Sequence, residues 1–132
     1  MSNSLAKNFE EIFGGLTTYT ATVEANRCLY CYDPPCVKAC PTSINIPSFI
    51  KKIASNNMKG SARVIMEANP VGASCARVCP TIELCEGACV LNSEEKPIQI
   101  GHLQRYATDW LRESDVNLFT PKPANGKKIA II

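Results

Sequence analysis

Apolar residues recur at helical spacing in several stretches of the chain, and these stretches are separated by segments with no period at all. Leu5, Phe9, Ile12 and Phe13 stand at i, i+4, i+7 and i+8. With Ser4 as a cap and Gly14-Gly15 as a stop, they predict a short amphipathic helix over residues 4–13. Thr20 is the expected cap of a second helix, which carries Val23 and runs through Glu24-Ala25-Asn26-Arg27. Pro34 and Pro35 bias their predecessors away from helix, so Tyr32-Asp33-Pro34-Pro35 reads as a loop. Pro47 then suits the first turn of a helix with Phe49, Ile50 and Ile53 on one side. A further helix, about Lys59 to Ala68, presents Ala62, Ile65 and Met66 before Asn69-Pro70 stops it, and Val71-Gly72-Ala73-Ser74 reads as a simple return.

A polar loop, Asn92-Ser93-Glu94-Glu95-Lys96, precedes the last expected helix, about Ile100 to Glu113. Leu103, Ala107, Trp110 and Leu111 form its apolar stripe, flanked by Gln104, Arg105 and Thr108. Pro121, Pro123 and Asn125-Gly126 mark residues 114–126 as a linker. The final Lys127-Lys128-Ile129-Ala130-Ile131-Ile132 reads as the start of a buried strand, unstable without a partner strand. The expected organisation is therefore a helical domain over 1–113, a linker over 114–126, and the beginning of a further domain at 127–132. The fold class is all-α, with short helices and long loops, and the chain is expected to belong to something longer.

Composition narrows the function classes. At 132 residues the chain suits one domain with a modest core. With 45% hydrophobic and 20% charged residues, it is neither disordered nor membrane-spanning by composition. Its formal net charge of +2, with Lys and Arg dispersed, gives no footprint for nucleic acid. The amino terminus lacks the basic and apolar regions of a secretory signal, so a soluble, cytoplasmic protein is expected. His102 is the sole histidine and no Gly-rich phosphate loop occurs, which leaves nucleophilic catalysis little to build on.

All eight cysteines fall in two clusters, Cys28-x2-Cys31-x4-Cys36-x3-Cys40-Pro41 and Cys75-x3-Cys79-Pro80-x4-Cys85-x3-Cys89. Four disulfides would suit a secreted mini-protein, and zinc would suit paired thiolates in short loops. The spacings match zinc ribbons untidily and resemble the bacterial ferredoxin run more closely, with x4 where that run has x2. In such runs the cysteine before proline serves the other cluster. Cys28, Cys31 and Cys36 would then hold one [4Fe–4S] cluster and Cys40 would cross to a second. Counting alone adds Cys75, Cys79 and Cys85 to Cys40 and leaves Cys89 to close the first, although a cysteine can also be a small buried apolar residue. The segments Cys36-Val-Lys-Ala-Cys40-Pro41-Thr42 and Cys75-Ala-Arg-Val-Cys79-Pro80-Thr81 share C-x3-C-P-T, a hint of two related half-sites. Arg27, Arg77 and Arg105 lie near these ligands in sequence and are candidates to balance the charge of reduced clusters.

Several longer stretches carry a family resemblance. Glu24-Ala25-Asn26-Arg27-Cys28, Asp33-Pro34-Pro35-Cys36, Asn69-Pro70-Val71-Gly72, Cys79-Pro80-Thr81-x3-Cys85-x-Gly87-x-Cys89 and Pro97-Ile98-Gln99-Ile100-Gly101-x-Leu103-Gln104-Arg105 form one such set. Together they resemble the amino-terminal iron–sulfur domain of dihydropyrimidine dehydrogenase, a module shared with the small subunit of glutamate synthase. The resemblance covers roughly residues 20 to 132. It implies two [4Fe–4S] clusters, one on Cys28, Cys31, Cys36 and Cys89, the other on Cys40, Cys79, Cys85 and Gln104. Cys75 becomes a neighbour of the second cluster and the alternative ligand to Gln104.

The same resemblance makes residues 127–132 the first strand of an FAD-binding Rossmann domain. The implied function is electron transfer within an NAD(P)H-dependent flavin oxidoreductase, NADP included. Electrons would pass from NAD(P)H and FAD on the chain's own following domain to an FMN-containing catalytic domain or subunit. The implied overall chemistry is pyrimidine base reduction, with flavin, nucleotide and substrate sites all outside these residues. A glutamate synthase small-subunit domain and a zinc-stapled, non-redox interaction module are the alternatives.

Overall fold

The computed structural model describes residues 11–94 and 96–130. The described residues form six α-helices and one 3₁₀ turn: α1 Thr18–Asn26, α2 Pro35–Lys38, α3 Ile46–Ala54, α4 Met58–Ala68, α5 Gly72–Val78, the 3₁₀ turn Val90–Ser93, and α6 Ile100–Glu113. No strand occurs among the described residues, so the all-α reading holds there. Residues 127–130 have no regular structure and are exposed, and the rest of the expected strand lies outside the described residues. The helix expected over residues 4–13 falls mostly outside them too. Its described end, residues 11–13, is not helical.

Local sequence explains most helix starts. Thr17, not Thr20, caps α1. Its hydroxyl accepts the Thr20 N–H at 3.2 Å while the Thr20 hydroxyl accepts the Thr17 N–H at 2.9 Å, a reciprocal box. The expected cap is thus the third residue of its own helix. The buried face of α1 is Ala21, Glu24 and Ala25, and Val23 points outward. Asn45 and Asn57 cap α3 and α4 by accepting the Ser48 and Gly60 N–H groups. Helix α5 replaces the simple return expected at 71–74.

The core lies where α3 crosses α1 and α4, and where α6 packs over α4 and α5. Phe49, Ile50, Ile65, Ile100 and Leu103 are fully buried there. Small residues let α3 and α4 approach: Ser61 is buried and its hydroxyl donates to the Phe49 carbonyl at 3.0 Å. The amino end of α6 has no cap of its own. Glu24 Oε1 accepts the Gln99 N–H and Glu86 Oε1 accepts the Gly101 N–H, each at 2.9 Å. Two carboxylates from distant segments thus satisfy unpaired donors at the positive end of the helix dipole. Glu24 also takes Arg27 Nη1 at 2.8 Å, and Arg27 Nη2 reaches the Lys96 carbonyl, which ties α1 to the approach of α6.

Two buried polar residues depart from the stripe reading of α6. Gln104 and Thr108 are buried beside Leu103 and Ala107 rather than flanking them at the surface, while Trp110 and Leu111 are half-buried. Within the stretch expected to be linker, Leu118 is buried, its carbonyl accepts Arg63 Nη2 at 2.8 Å, and Phe119 lies against the Arg63 guanidinium.

Candidate functional site

The cysteines sort into two groups that do not follow their order in the chain. Cys28 and Cys31 leave the end of α1, Cys36 lies in the first turn of α2, and Cys89 returns from far along the chain, just before the 3₁₀ turn. These four line one small cavity of about 20 Å³, otherwise walled by apolar residues including Ile50, Leu91 and Ile98. Cys40 follows α2, Cys75 sits on α5, Cys79 ends it, and Cys85 lies in the next loop. Those four and Gln104 of α6 line a second cavity of about 90 Å³. By the measure of about 10–15 Å³ for one water, the second has room for several atoms of that size. Helix α2 is the divider: Cys36 within it and Cys40 just after it go to different cavities, and buried Ile46 borders both.

Tight backbone turns aim the sulfurs. Tyr30 and Ser43, each within three residues of a cysteine, take the left-handed conformation at φ 51° and 52°. Such conformations cost on the order of 1 kcal/mol or more for a residue with a Cβ. Tyr30 is held by its hydroxyl, which donates to the Ala25 carbonyl at 3.0 Å, and by Lys51 lying 4.5 Å over its ring. Gly87, between Cys85 and Cys89, is a close approach: a Cβ there would stand 2.0 Å from the Ile82 carbonyl oxygen.

The electrostatics report the same sorting. Burial, then repulsion from Cys89, Cys28 and Cys31, pushes the Cys36 thiol up to about 11. Burial, then Glu86 and Cys40, pushes Cys85 up to about 12. Burial also raises Cys28 and Cys79, and repulsion from cysteines of the same group adds to the rise in each. Crowded, buried thiolates of this kind need a positive centre, and ligation to metal supplies one as it displaces the protons. Cys40 is the exception. Burial would raise it, but hydrogen bonds from the Thr42 hydroxyl (3.5 Å) and the backbone N–H groups of Ile44, Thr42 and Ser43 outweigh that and hold it below the ordinary thiol value.

That contact shows what the C-P-T repeat does, and that its two copies differ. Thr42 serves the sulfur of Cys40, whereas the Thr81 carbonyl collects the Glu86 and Gly87 N–H groups and shapes the loop to Cys85. All eight cysteines are free thiols. Among the described residues, no three His, Cys, Asp or Glu side chains are arranged to hold a single metal ion. The cysteines line two cavities, four in each.

Gln104 is anchored as a donor would be. Its Nε2 donates to the Gly72 carbonyl at 2.7 Å, and only the NH₂ end of the amide can do so, so Oε1 is not spent on that bond, and the residue lines the second cavity. Cys75 lines the same cavity, with Asn69 Nδ2 3.2 Å from its sulfur. Asn69 is the site residue that periodicity does not announce, and its one signal is the Asn69-Pro70-Val71-Gly72 motif. Each of the three arginines is paired with a carboxylate. Arg27 pairs with Glu24, while Arg77 and Arg105 both pair with Asp109, and Arg105 also with Glu11. No described helix is long and apolar enough to cross a membrane.

Residues 5–116 match the family model described as dihydropyrimidine dehydrogenase domain II, 4Fe-4S cluster. The chain is 42% identical over 123 residues to the NAD-dependent dihydropyrimidine dehydrogenase subunit PreT of Salmonella typhimurium, and equally to that of Escherichia coli K12. Each alignment takes in 93% of this chain and 30% of the relative, so the chain spans about a third of the length of these proteins. Free thiols gathered round apolar cavities, with a matching family model over most of the chain, agree on one conclusion: this is an iron–sulfur domain, and the chain belongs to the dihydropyrimidine dehydrogenase domain II, 4Fe-4S cluster family.

Proposed function

We propose that the chain is an electron relay built on two [4Fe–4S] clusters, the first held by Cys28, Cys31, Cys36 and Cys89, the second by Cys40, Cys79, Cys85 and Gln104. The observation that carries this reading is the crossing of Cys40 and Cys89 between the sequence clusters, so that each cavity meets a full set of donors. Bound there, such clusters supply one-electron storage and transfer. The chain's own part is to bind, orient and exclude water. Apolar walls keep the first site dry, Thr42 and the backbone N–H groups after it stabilise the Cys40 thiolate, and Gly72 fixes the Gln104 amide. Cys75 stands beside the second site without ligating it.

In the whole protein, electrons pass from NAD(P)H through FAD to these clusters and on to an FMN-containing catalytic domain or subunit, where a pyrimidine base is reduced. The names of the PreT relatives support the NAD-dependence and the dihydropyrimidine chemistry, and their threefold greater length leaves room for further domains. Residues 127–132 open the FAD-binding domain in this reading. Protein purified anaerobically is expected to be brown, to bleach with dithionite, and to carry about eight iron and eight sulfide per chain, two cubanes of four. A colourless protein with stoichiometric zinc would refute it.

A further inference from the structure

The second cavity offers five donors where one cubane takes four, and a single turn holds the two that compete. Asn69 is 3% exposed. Its Oδ1 accepts the Val71 N–H at 3.1 Å, which orients the amide and aims Nδ2 at Cys75 Sγ. Three residues later the Gly72 carbonyl anchors Gln104. A thiolate is a softer and stronger donor to iron than a neutral amide oxygen. Gln104 can therefore keep the position only if the sulfur of Cys75 is held off it.

We propose that the Asn69–Gly72 turn is a ligand selector: Asn69 retains the Cys75 sulfur at the cavity wall as a reserve donor, while Gly72 presents Gln104 Oε1. This rests on the reading that the cavity holds a [4Fe–4S] cluster. With either tether cut, Cys75 would supply its sulfur as a thiolate to such a cluster in place of the Gln104 oxygen, its thiol proton passing to solvent. No electron moves in the exchange, and the net charge of the centre falls by one. Added negative charge disfavours reduction, so the potential of that centre drops. Asn69 is on this account a positioning residue.

The test uses the full chain purified anaerobically, with iron and sulfide analysis and a redox titration followed by electron paramagnetic resonance. Asn69→Ala removes the tether. Asn69→Asp keeps the oxygen that accepts from Val71 while lacking the amide donor. Both are expected to retain wild-type iron and to shift one midpoint negative by at least about 59 mV, tenfold in a one-electron equilibrium. Adding Cys75→Ala should reverse that shift. Gln104→Leu should likewise keep its iron, whereas Gln104→Leu with Cys75→Ala should lose about half, one cubane of two. Unchanged midpoints in both Asn69 variants, a shift that survives Cys75→Ala, or loss of half the iron from Gln104→Leu alone overturns the selector. Wild-type protein without iron and sulfide defeats the cluster reading instead, which is a separate outcome.

Discussion

Replacing Gly87 by alanine should cost this protein both its stability and its metal, because of where the new methyl group must go. An ideal Cβ on Gly87 lies 2.0 Å from the Ile82 carbonyl oxygen and 3.1 Å from its carbon. Bringing the first contact out to even 3.0 Å requires a movement of about 1 Å, and the obstacle is main chain, which has no rotamer to escape into. The upper end of the overpacking range, about 3 kcal/mol, is the expected loss. For a domain of this size that lowers the melting temperature by roughly 10 °C.

The functional loss should be larger than the stability loss. Gly87 lies between Cys85 and Cys89, which serve different cavities. Metal–ligand distances tolerate only about 0.2 Å, so a shift of about 1 Å in this loop takes a ligand from one or both sites. Two further variants grade the argument. Gly72→Ala meets a methyl of buried Ile65 at 2.6 Å, which can yield in part, so an intermediate loss is expected; Gly14→Ala meets nothing within 4 Å and should be neutral. The assays are anaerobic thermal denaturation by circular dichroism and iron per chain. Full iron and an unchanged melting temperature in Gly87→Ala would refute the reasoning.

Cys75→Ala should keep both clusters while Cys79→Ala loses about half of the iron, and loss of a whole cluster from Cys75→Ala would restore Cys75 as the ligand. Glu24→Ala should cost about 3 kcal/mol, because it strips a buried carboxylate from Arg27 and from the Gln99 N–H; Glu24→Gln should recover part of that, since it can still accept from Gln99. Equal melting temperatures for the two variants would contradict this. Burial works to raise the Asp109 carboxyl, but hydrogen bonds from Arg77 and Arg105 outweigh it and hold its pKa below the ordinary carboxylate value. Its stabilising contribution is thus complete above the unfolded value of about 3.9 and is lost as pH falls through the lower folded value. The stability gap between wild type and Asp109→Asn should stay constant from pH 7 to about 4 and close below that. A gap that closes well above pH 4 would count against the pairing.

The sequence by itself determined the helices whose apolar faces meet the core. Phe49, Ile50 and Ile53 mark α3, Ile65 marks α4, and Leu103 and Ala107 mark α6, because a 3.6-residue period is a local property and burial of one face follows from it. It also determined the donor chemistry, since eight thiols in two runs broken by prolines have few other uses. The likeness to ferredoxin runs sends Cys40 on to the second group, counting sends Cys89 back to the first, and the structure places Cys40 and Cys89 at those two cavities.

Other features were decided only by tertiary structure. Helix α5 buries little besides Gly72, so it has no stripe to announce it. Glu24 and Glu86 finish α6 from 75 and 15 residues away, which no cap pattern at Gln99 can reveal. Gln104 has the spacing of a surface flank, yet it is buried because a cavity lies beneath it and the Gly72 carbonyl turns its amide. Period and propensity describe what a segment does to itself, whereas the convergence of Cys40, Cys75, Cys79, Cys85 and Gln104 on one cavity is a property of how α5, α6 and the loops after α2 and α5 pack.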